Sequence, residues 1–132
     1  CERTSEELKK LLECMKQNGA PGTVSSITER RIGNNVEQMK QCCQSNCKQF
    51  GCAHACGSQH YGCNNGYYSN ALDLASGNGT NQSYCTAAAI AKKCHPDAFI
   101  IGPQNNNLCP GSWIPWKPSW GSHEDHLHID VR

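Results

Sequence analysis

The sequence predicts one α+β domain that is cross-linked by disulfides, and three observations point to it. The chain has 132 residues, enough for a single domain with a modest core. Apolar residues recur at helical spacing in some segments and alternate at strand spacing in others. Eleven cysteines in a chain of this length are typical of disulfide-stapled extracellular proteins.

The first element is predicted to be a helix. Thr4 and Glu7 have the spacing of a capping box, with Thr4 as the N-cap. Apolar residues then follow at i, i+3, i+4 and i+7, which predicts one buried stripe: Leu8, Leu11, Leu12 and Met15. Residues 23–28 are rich in β-branched side chains and predict a short strand.

Two more helices and two more strands are predicted before the C-terminal segment. Asn35 is a candidate N-cap for a helix over residues 36–43. Residues 84–93 are rich in alanine and end on two lysines, which suits the C-terminal end of a helix. The apolar runs at 69–75 and 98–102 predict the two strands.

The cysteines are unevenly distributed. Six of them lie between residues 42 and 63, where aliphatic side chains are few, so this segment is predicted to be cross-linked loops. Because eleven is an odd number, at least one thiol stays free or pairs with another chain. Connectivity does not follow from spacing. The polar start at Cys1 is expected to be that of a processed, secreted product.

Composition excludes two classes of partner. The net charge is +1, so no charge excess predicts binding to nucleic acid or to an acidic membrane. No apolar run approaches the roughly 18 residues of a membrane-spanning helix.

The last twelve residues are predicted to carry the chemistry. Three of the six histidines fall within six positions there, beside carboxylates. On a strand, His126, His128 and Asp130 share one face. The other face carries the apolar Leu127, Ile129 and Val131. The apolar face would seat the strand on a core, so the imidazoles would face a cleft as metal ligands. The alternative is a solvated, histidine-rich terminus.

Two upstream residues could complete a metal site. Catalytic zinc takes three protein ligands, commonly from separate segments, and leaves one position for water. His60 lies in a polar loop, and Asp73 lies between two leucines in an apolar run, where a carboxylate needs a partner such as a cation. The alternatives are a plain loop histidine and a capping carboxylate.

With these residues the chain resembles a known family, the zinc D-alanyl-D-alanine carboxypeptidases, which are relatives of the hedgehog signalling domain. The family's Ser-x-His and Ala-x-Asp motifs match residues 58–60 and 71–73. Its helix, apolar strand and Gly-Pro match residues 84–103, and its His-x-Asp-His-x-His motif matches residues 123–128. The resemblance covers roughly residues 58–132.

The resemblance implies a role for each matched residue. His60, Asp73 and His128 would be the zinc ligands. Asp125 would be the general base that takes a proton from the attacking water, and His123 would stabilise the oxyanion or protonate the leaving amine.

The substrate-binding residues are expected to lie around this site. The resemblance implies that His126 is a substrate-facing group, or a neighbour of the ligands. It also implies that Arg31, or else Arg30, grips a substrate carboxylate after the early strand. Trp113 and Trp116 precede the catalytic tail and are expected to stack on sugar rings or to line a peptide groove. The alternative for the tryptophans is a place in the core.

One departure from the family concerns the first motif. His60 and Asp73 are separated by twelve residues where the family has six. The normal spacing falls on Gly66, which cannot bind a metal. The extra residues are expected to form a disulfide-pinned loop outside the ligand pair, with His60 kept as a ligand and His54 and His95 as reserve candidates.

The resemblance implies a small antiparallel sheet with packed helices. Residues 1–57 are expected to form a helical, cysteine-rich entry region of the same domain, with little resemblance to the family beyond an entry helix and strand. It implies a secreted zinc peptidase acting on bacterial cell-wall stem peptides of the D-Ala-D-Ala type. One alternative is a non-catalytic, cysteine-rich binding or signalling protein with a structural zinc. Another is a toxin-like disulfide scaffold with an incidental histidine cluster. Asp125 and His123 favour the enzyme, because a structural site needs neither.

Overall fold

Three α-helices and five strands are present in the part of the chain that the computed structural model describes, residues 2–75, 81–117, 119 and 125–132. The helices are α1 (Glu6–Gln17), α2 (Val36–Cys42) and α3 (Asn81–Cys94). The strands are β1 (Thr23–Ser26), β2 (Ala71–Ala75), β3 (Phe99–Gly102), β4 (Ile114–Pro115) and β5 (Leu127–Asp130). Short 3₁₀ turns span Cys47–Phe50 and Gln59–Tyr61. The α+β prediction is confirmed, and none of the described helices is long and apolar enough to cross a bilayer.

The strands form one mixed sheet with the order β1-β2-β5-β3-β4. The first three pairs are antiparallel, but β4 runs parallel to β3. The prediction of an antiparallel sheet is therefore wrong at this edge. After β3 the chain makes a long excursion through residues 103–113, and a connection of about a dozen residues is what a parallel return requires. The disulfide between Cys85 and Cys109 ties that excursion to α3.

Helix α1 begins one residue later than the predicted cap. Ser5, not Thr4, is the N-cap, and its hydroxyl accepts the Leu8 backbone N–H at 3.2 Å. The predicted stripe is buried at Leu8, Leu11 and Met15. The disulfide Cys14–Cys94 joins the C-terminal ends of α1 and α3, so the two helices are fixed side by side over the sheet.

One face of the sheet forms the main core. Leu72, Leu74, Ile100, Leu127 and Ile129 are buried against α1 and α3. Because side chains alternate along a strand, the residues between these leucines and isoleucines point to the opposite face.

The opposite face lies toward a region that disulfides hold together. In the described residues ten cysteines form five disulfides, and three of these lie within the cysteine-dense segment: Cys42–Cys52, Cys43–Cys63 and Cys47–Cys56. Their half-cystines pack with Ile32, Met39 and Tyr61 in a second, small core. The prediction of a cross-linked region is confirmed. The eleventh cysteine, Cys1, lies outside the described residues.

Tyr61 connects this small core to a buried carboxylate. Its hydroxyl donates to Glu29 Oε2 at 2.6 Å and accepts the His54 backbone N–H at 3.0 Å. Glu29 also accepts the backbone N–H of Ala53 at 2.8 Å. Burial alone would raise the pKa of Glu29, but the hydrogen bonds from Tyr61, Ala53 and Arg31 hold the pKa below its usual value.

Tyr61→Phe is expected to lower the free energy of unfolding by about 1–3 kcal/mol, because a buried carboxylate and a backbone amide each lose a partner. Urea denaturation of the two proteins measures the difference. Tyr68→Phe is the matched control: the Tyr68 ring is exposed, so its loss should stay within about 0.5 kcal/mol. Equal losses in both variants would show that the Tyr61 hydroxyl contributes nothing specific.

Candidate metal centre

Three donor atoms from separate segments meet on the face of the sheet opposite α1 and α3. Asp73 on β2 lies directly across from His128 on β5, and the 3₁₀ turn Gln59–Tyr61 brings His60 to them. His60 Nε2 lies 3.2 Å from Asp73 Oδ1 and 3.2 Å from His128 Nδ1, and those two atoms are 3.5 Å apart. We call His60, Asp73 and His128 the ligand triangle.

The ligand triangle has the size of a metal-binding site. At zinc–ligand distances of about 2.0–2.1 Å, two ligands of a tetrahedral ion lie about 3.3–3.4 Å apart. All three side chains are buried, with relative exposures of 2%, 8% and 7%. The geometry therefore fits one face of a zinc tetrahedron.

The outer nitrogen of each imidazole is held by an acceptor. His60 Nδ1 donates to the Ile27 carbonyl, and His128 Nε2 donates to Asp130 Oδ2 at 2.9 Å. A carbonyl or an ionised carboxylate accepts only, so these nitrogens carry the hydrogen. When these rings are neutral, their lone pairs point toward Asp73 Oδ1, and acceptors this close together need a proton or a metal cation between them. Metal-binding histidines are usually oriented in this way.

The pKa shifts in the ligand triangle also favour positive charge there. Burial alone would raise the pKa of Asp73, but hydrogen bonds from His128 and His60 bring it well below its usual value. Burial alone would lower the pKa of His128, but Asp130 and Asp73 raise it above the usual value. In the metal-free protein, a proton on His128 thus supplies charge that a bound cation would replace.

Asp130 supports His128 and was not among the predicted site residues. It is fully buried, and its carboxylate also accepts from Arg132 Nε and Nη2, each at 2.8 Å. Burial would raise its pKa, but the bonds from Arg132 and His128 lower it to about 2. The alternation that pairs His128 with Asp130 was the sequence signal for this residue.

A second donor set overlaps the first. Donor atoms of His54, His60 and Asp73 all lie within 4.8 Å of one another, and this group could also hold a metal ion. The His54 and His60 rings are stacked, however, with centroids 3.6 Å apart and planes within 5° of parallel. A metal lies close to the plane of an imidazole that binds it, and two stacked planes cannot both contain one ion. His128 is therefore the better third ligand.

His54 packs against one side of the ligand triangle without being one of its ligands. Its Nε2 lies 3.1 Å from the Ser26 hydroxyl and its Nδ1 lies 3.9 Å from Asp73 Oδ2. Burial, followed by the neighbouring His60, lowers the pKa of His54 to about 4. Its ring is consequently neutral near pH 7 and packs against the face of His60.

His126 and Asp125 form a pair beside the ligand triangle. Asp125 Oδ1 accepts from His126 Nδ1 at 2.8 Å, and His126 Nε2 lies 3.9 Å from Asp73 Oδ1. The hydrogen bond from His126 lowers the pKa of Asp125. The Asp125 side chain is 91% exposed, so its carboxylate lies on the outer side of His126 while the imidazole faces the metal site.

Two predicted substrate-binding residues lie elsewhere. The Arg31 guanidinium donates to Glu29 Oε1 at 3.0 Å and to the Gly51 carbonyl, and Arg31 is not among the described residues that line the metal cleft. Trp113 is buried in the main core, where Nε1 donates to the Pro103 carbonyl at 2.9 Å. Arg31 therefore does not line the described metal cleft, and Trp113 takes the alternative expected for the tryptophans, a place in the core.

Three further predicted residues are not among the described residues that line the metal cleft. Trp116 is half-buried at the parallel edge, where its backbone N–H donates to the Gly102 carbonyl, and it also does not line the described cleft. His95 lies just after α3, away from the centre. His123 falls outside the described residues.

The ligand triangle lies in the wall of a cleft of about 780 Å³, which we call the metal cleft. His54 and His126 also line it, and Lys48 and Arg132 contribute positive charge. The Lys48 ammonium donates to the carbonyls of Cys52 and His54, at 3.4 and 3.1 Å. The cleft therefore combines a cation-binding site with an imidazole and with positive side chains.

Comparisons of the chain with protein-family models, with curated proteins and with solved structures return no match.

Proposed function

We propose that the chain is a secreted zinc peptidase of the D-alanyl-D-alanine carboxypeptidase and hedgehog type, which hydrolyses stem peptides of bacterial cell walls. The observation that carries the proposal is the ligand triangle in the metal cleft, with the His126 imidazole facing it. The motifs that resemble the family contribute every one of these residues.

Zinc suits this donor set. Two imidazole nitrogens and one carboxylate oxygen form a common set of protein ligands at catalytic zinc, and a tetrahedral ion would keep its fourth position for water. A zinc ion held there would supply Lewis-acid chemistry, lowering the pKa of water and polarising a peptide carbonyl.

His126 is the proposed general base, which revises the role expected for Asp125. Because the Asp125 carboxylate accepts the Nδ1 hydrogen, a neutral His126 turns its Nε2 lone pair toward the metal cleft. From there Nε2 takes a proton from the attacking water and then delivers it to the leaving amine. Asp125 keeps the tautomer and stabilises the imidazolium, as a carboxylate does behind a catalytic histidine.

Lys48 replaces Arg31 as the proposed partner of a substrate carboxylate. Its ammonium is held at the metal cleft by two backbone carbonyls, and an ammonium has three donors. The five disulfides of the described residues support an oxidising location outside the cell.

One observation favours the alternative, a non-catalytic binding protein with a structural zinc. His126 Nε2 is only 3.9 Å from Asp73 Oδ1, close enough for a small rotation to make it a fourth ligand. Structural zinc sites are closed by four protein ligands in this way.

His126→Ala separates the two functions. For a peptidase, the zinc-loaded variant is expected to lose about 10²–10⁴-fold in kcat/KM on muropeptides while its zinc affinity stays close to that of the wild type. Asp125→Asn should retain more activity than His126→Ala, because the imidazole remains. His95→Ala, outside the cleft, is the control for loss of a histidine.

Two results would overturn the proposal. If the zinc-loaded wild type releases no product from muropeptides of varied stem length, the chain is not this peptidase. If His126→Ala loses zinc affinity as strongly as His128→Ala, the site is closed and structural.

A further inference from the structure

The extra residues between His60 and Asp73 form a tight loop away from the metal centre. This inserted loop, residues 62–68, begins at Gly62, where an added Cβ would clash with the Tyr68 carbonyl oxygen. Tyr67 adopts a left-handed backbone with φ of 62°, which is uncommon for a residue other than glycine. Strain of this kind persists only where the surroundings hold it in place.

The inserted loop is held from both sides. Arg3 Nε donates to the Tyr67 carbonyl at 2.9 Å, and Arg3 Nη2 donates to the Gly66 carbonyl at 3.0 Å. The same guanidinium lies over the Tyr68 ring, 3.9 Å from its centroid. The disulfide Cys43–Cys63 anchors the start of the loop. The Tyr68 ring is thus fixed in place, yet 45% of the residue is exposed.

Tyr68 lines a second cleft of about 840 Å³. The Arg3 guanidinium covers one face of the Tyr68 ring, and Arg3 is not among the described residues that line this second cleft. The other lining side chains include many neutral hydrogen-bonding groups: Thr4, Ser5, Ser58, Gln59, Asn64, Asn65 and Asn70. The charged lining residues are Glu6, Glu7, Lys9 and Arg132, of which Glu6 and Lys9 form an ion pair at 3.1 Å.

The second cleft adjoins the metal cleft. Gly57, Ser58, Gln59 and Arg132 line both of them and form a shared wall. Three of these residues, Gly57, Ser58 and Gln59, lie directly before His60 in sequence. A ligand that extends across the wall would occupy the second cleft with one part and reach the metal centre with another.

We propose that the second cleft binds an oligosaccharide of N-acetylated amino sugars. A fixed aromatic ring offers a flat apolar surface to a sugar ring, and amide and hydroxyl side chains pair with its hydroxyl and acetamido groups. Such sugars occur in cell-wall glycan and in chitin. The choice of cell-wall glycan rests on the proposed function, since that polymer joins the sugar to the peptide that the metal cleft would take.

Isothermal titration of the zinc-loaded 132-residue chain tests the proposal with two probes. The probes are the N-acetylglucosamine tetramer and a cell-wall glycan fragment without stem peptides. Tyr68→Ala is expected to weaken binding at least about tenfold, whereas Tyr68→Phe keeps the affinity. Phe50→Ala is the matched control, because Phe50 is 41% exposed and lines neither of the two clefts. An unchanged zinc affinity of Tyr68→Ala verifies its fold.

The outcomes distinguish between the two sources of the sugar. They also distinguish a failure of the sugar site from a failure of the proposed peptidase. Tighter binding of the cell-wall fragment supports cell-wall glycan, and equal binding supports amino-sugar polymers in general. No binding of either probe, or wild-type affinity in Tyr68→Ala, overturns the sugar site. The hydrolysis of isolated stem peptides is measured separately, so sugar binding without hydrolysis contradicts only the peptidase, and hydrolysis without sugar binding contradicts only this inference.

Discussion

Asp73→Asn is expected to weaken zinc binding by more than about 100-fold. The substitution removes the negative charge of the ligand triangle and replaces a carboxylate by an amide, a weak ligand for zinc, whereas the loss of an outer-shell partner alone commonly costs 10–100-fold. Competition with a chromophoric chelator at neutral pH measures the affinity without any substrate.

Matched substitutions show whether this loss is specific. Asp97→Asn, exposed in the turn between α3 and β3, should bind zinc as the wild type does. Asp130→Asn should fall between the two, about 10–100-fold weaker, because it loosens His128 without removing a ligand. If His54→Ala weakens binding as much as His128→Ala, the argument from the stacked ring planes is wrong.

Removing the disulfide Cys14–Cys94, as Cys14→Ser with Cys94→Ser, is expected to lower the free energy of unfolding by about 4–5 kcal/mol. The two cysteines are 80 residues apart in sequence, and the chain entropy released in the unfolded state grows with the length of the closed loop. For a domain of this size the melting temperature should fall by about 10–20 °C in a calorimetric scan.

The disulfide Cys47–Cys56 provides the comparison. Its separation of 9 residues predicts a smaller entropic loss, about 2.5–3 kcal/mol, when both cysteines are replaced by serine. A larger loss for this short disulfide than for Cys14–Cys94 would show that the small core, with few aliphatic side chains, depends on its cross-links more than on chain entropy.

The parts of the fold that follow local pattern were predictable. The stripe of α1, the alanine-rich α3 and the alternation of β5 are set by periodicities of 3.6 and 2, so the buried faces could be assigned without a partner. The alternation also placed His128 and Asp130 on one face. Pairing Asp73 with His128 required the register between β2 and β5, which came only from the family motifs.

The parts that depend on distant contacts were not predictable. Trp113 is buried because Gly102 lacks a side chain: a Cβ there would lie 3.0 Å from the indole. That contact needs the parallel return of β4, which no local pattern encodes. His54 reaches His60 through the cross-linked segment, where Cys42 pairs with Cys52, ten positions further on, and cysteine spacing does not determine pairing. The Glu29 carboxylate that holds Arg31 is fixed by that same segment.

The outer strands of the described sheet discourage growth by a further strand. On one side β1 is interrupted by a register shift between Val24 and Ser26. On the other side β4 is two residues long and ends in Pro115, which has no N–H to donate. Irregular or proline-containing edge strands of this kind prevent the sheets of neighbouring molecules from pairing edge to edge. The described sheet would thereby resist fibril formation by edge-to-edge pairing.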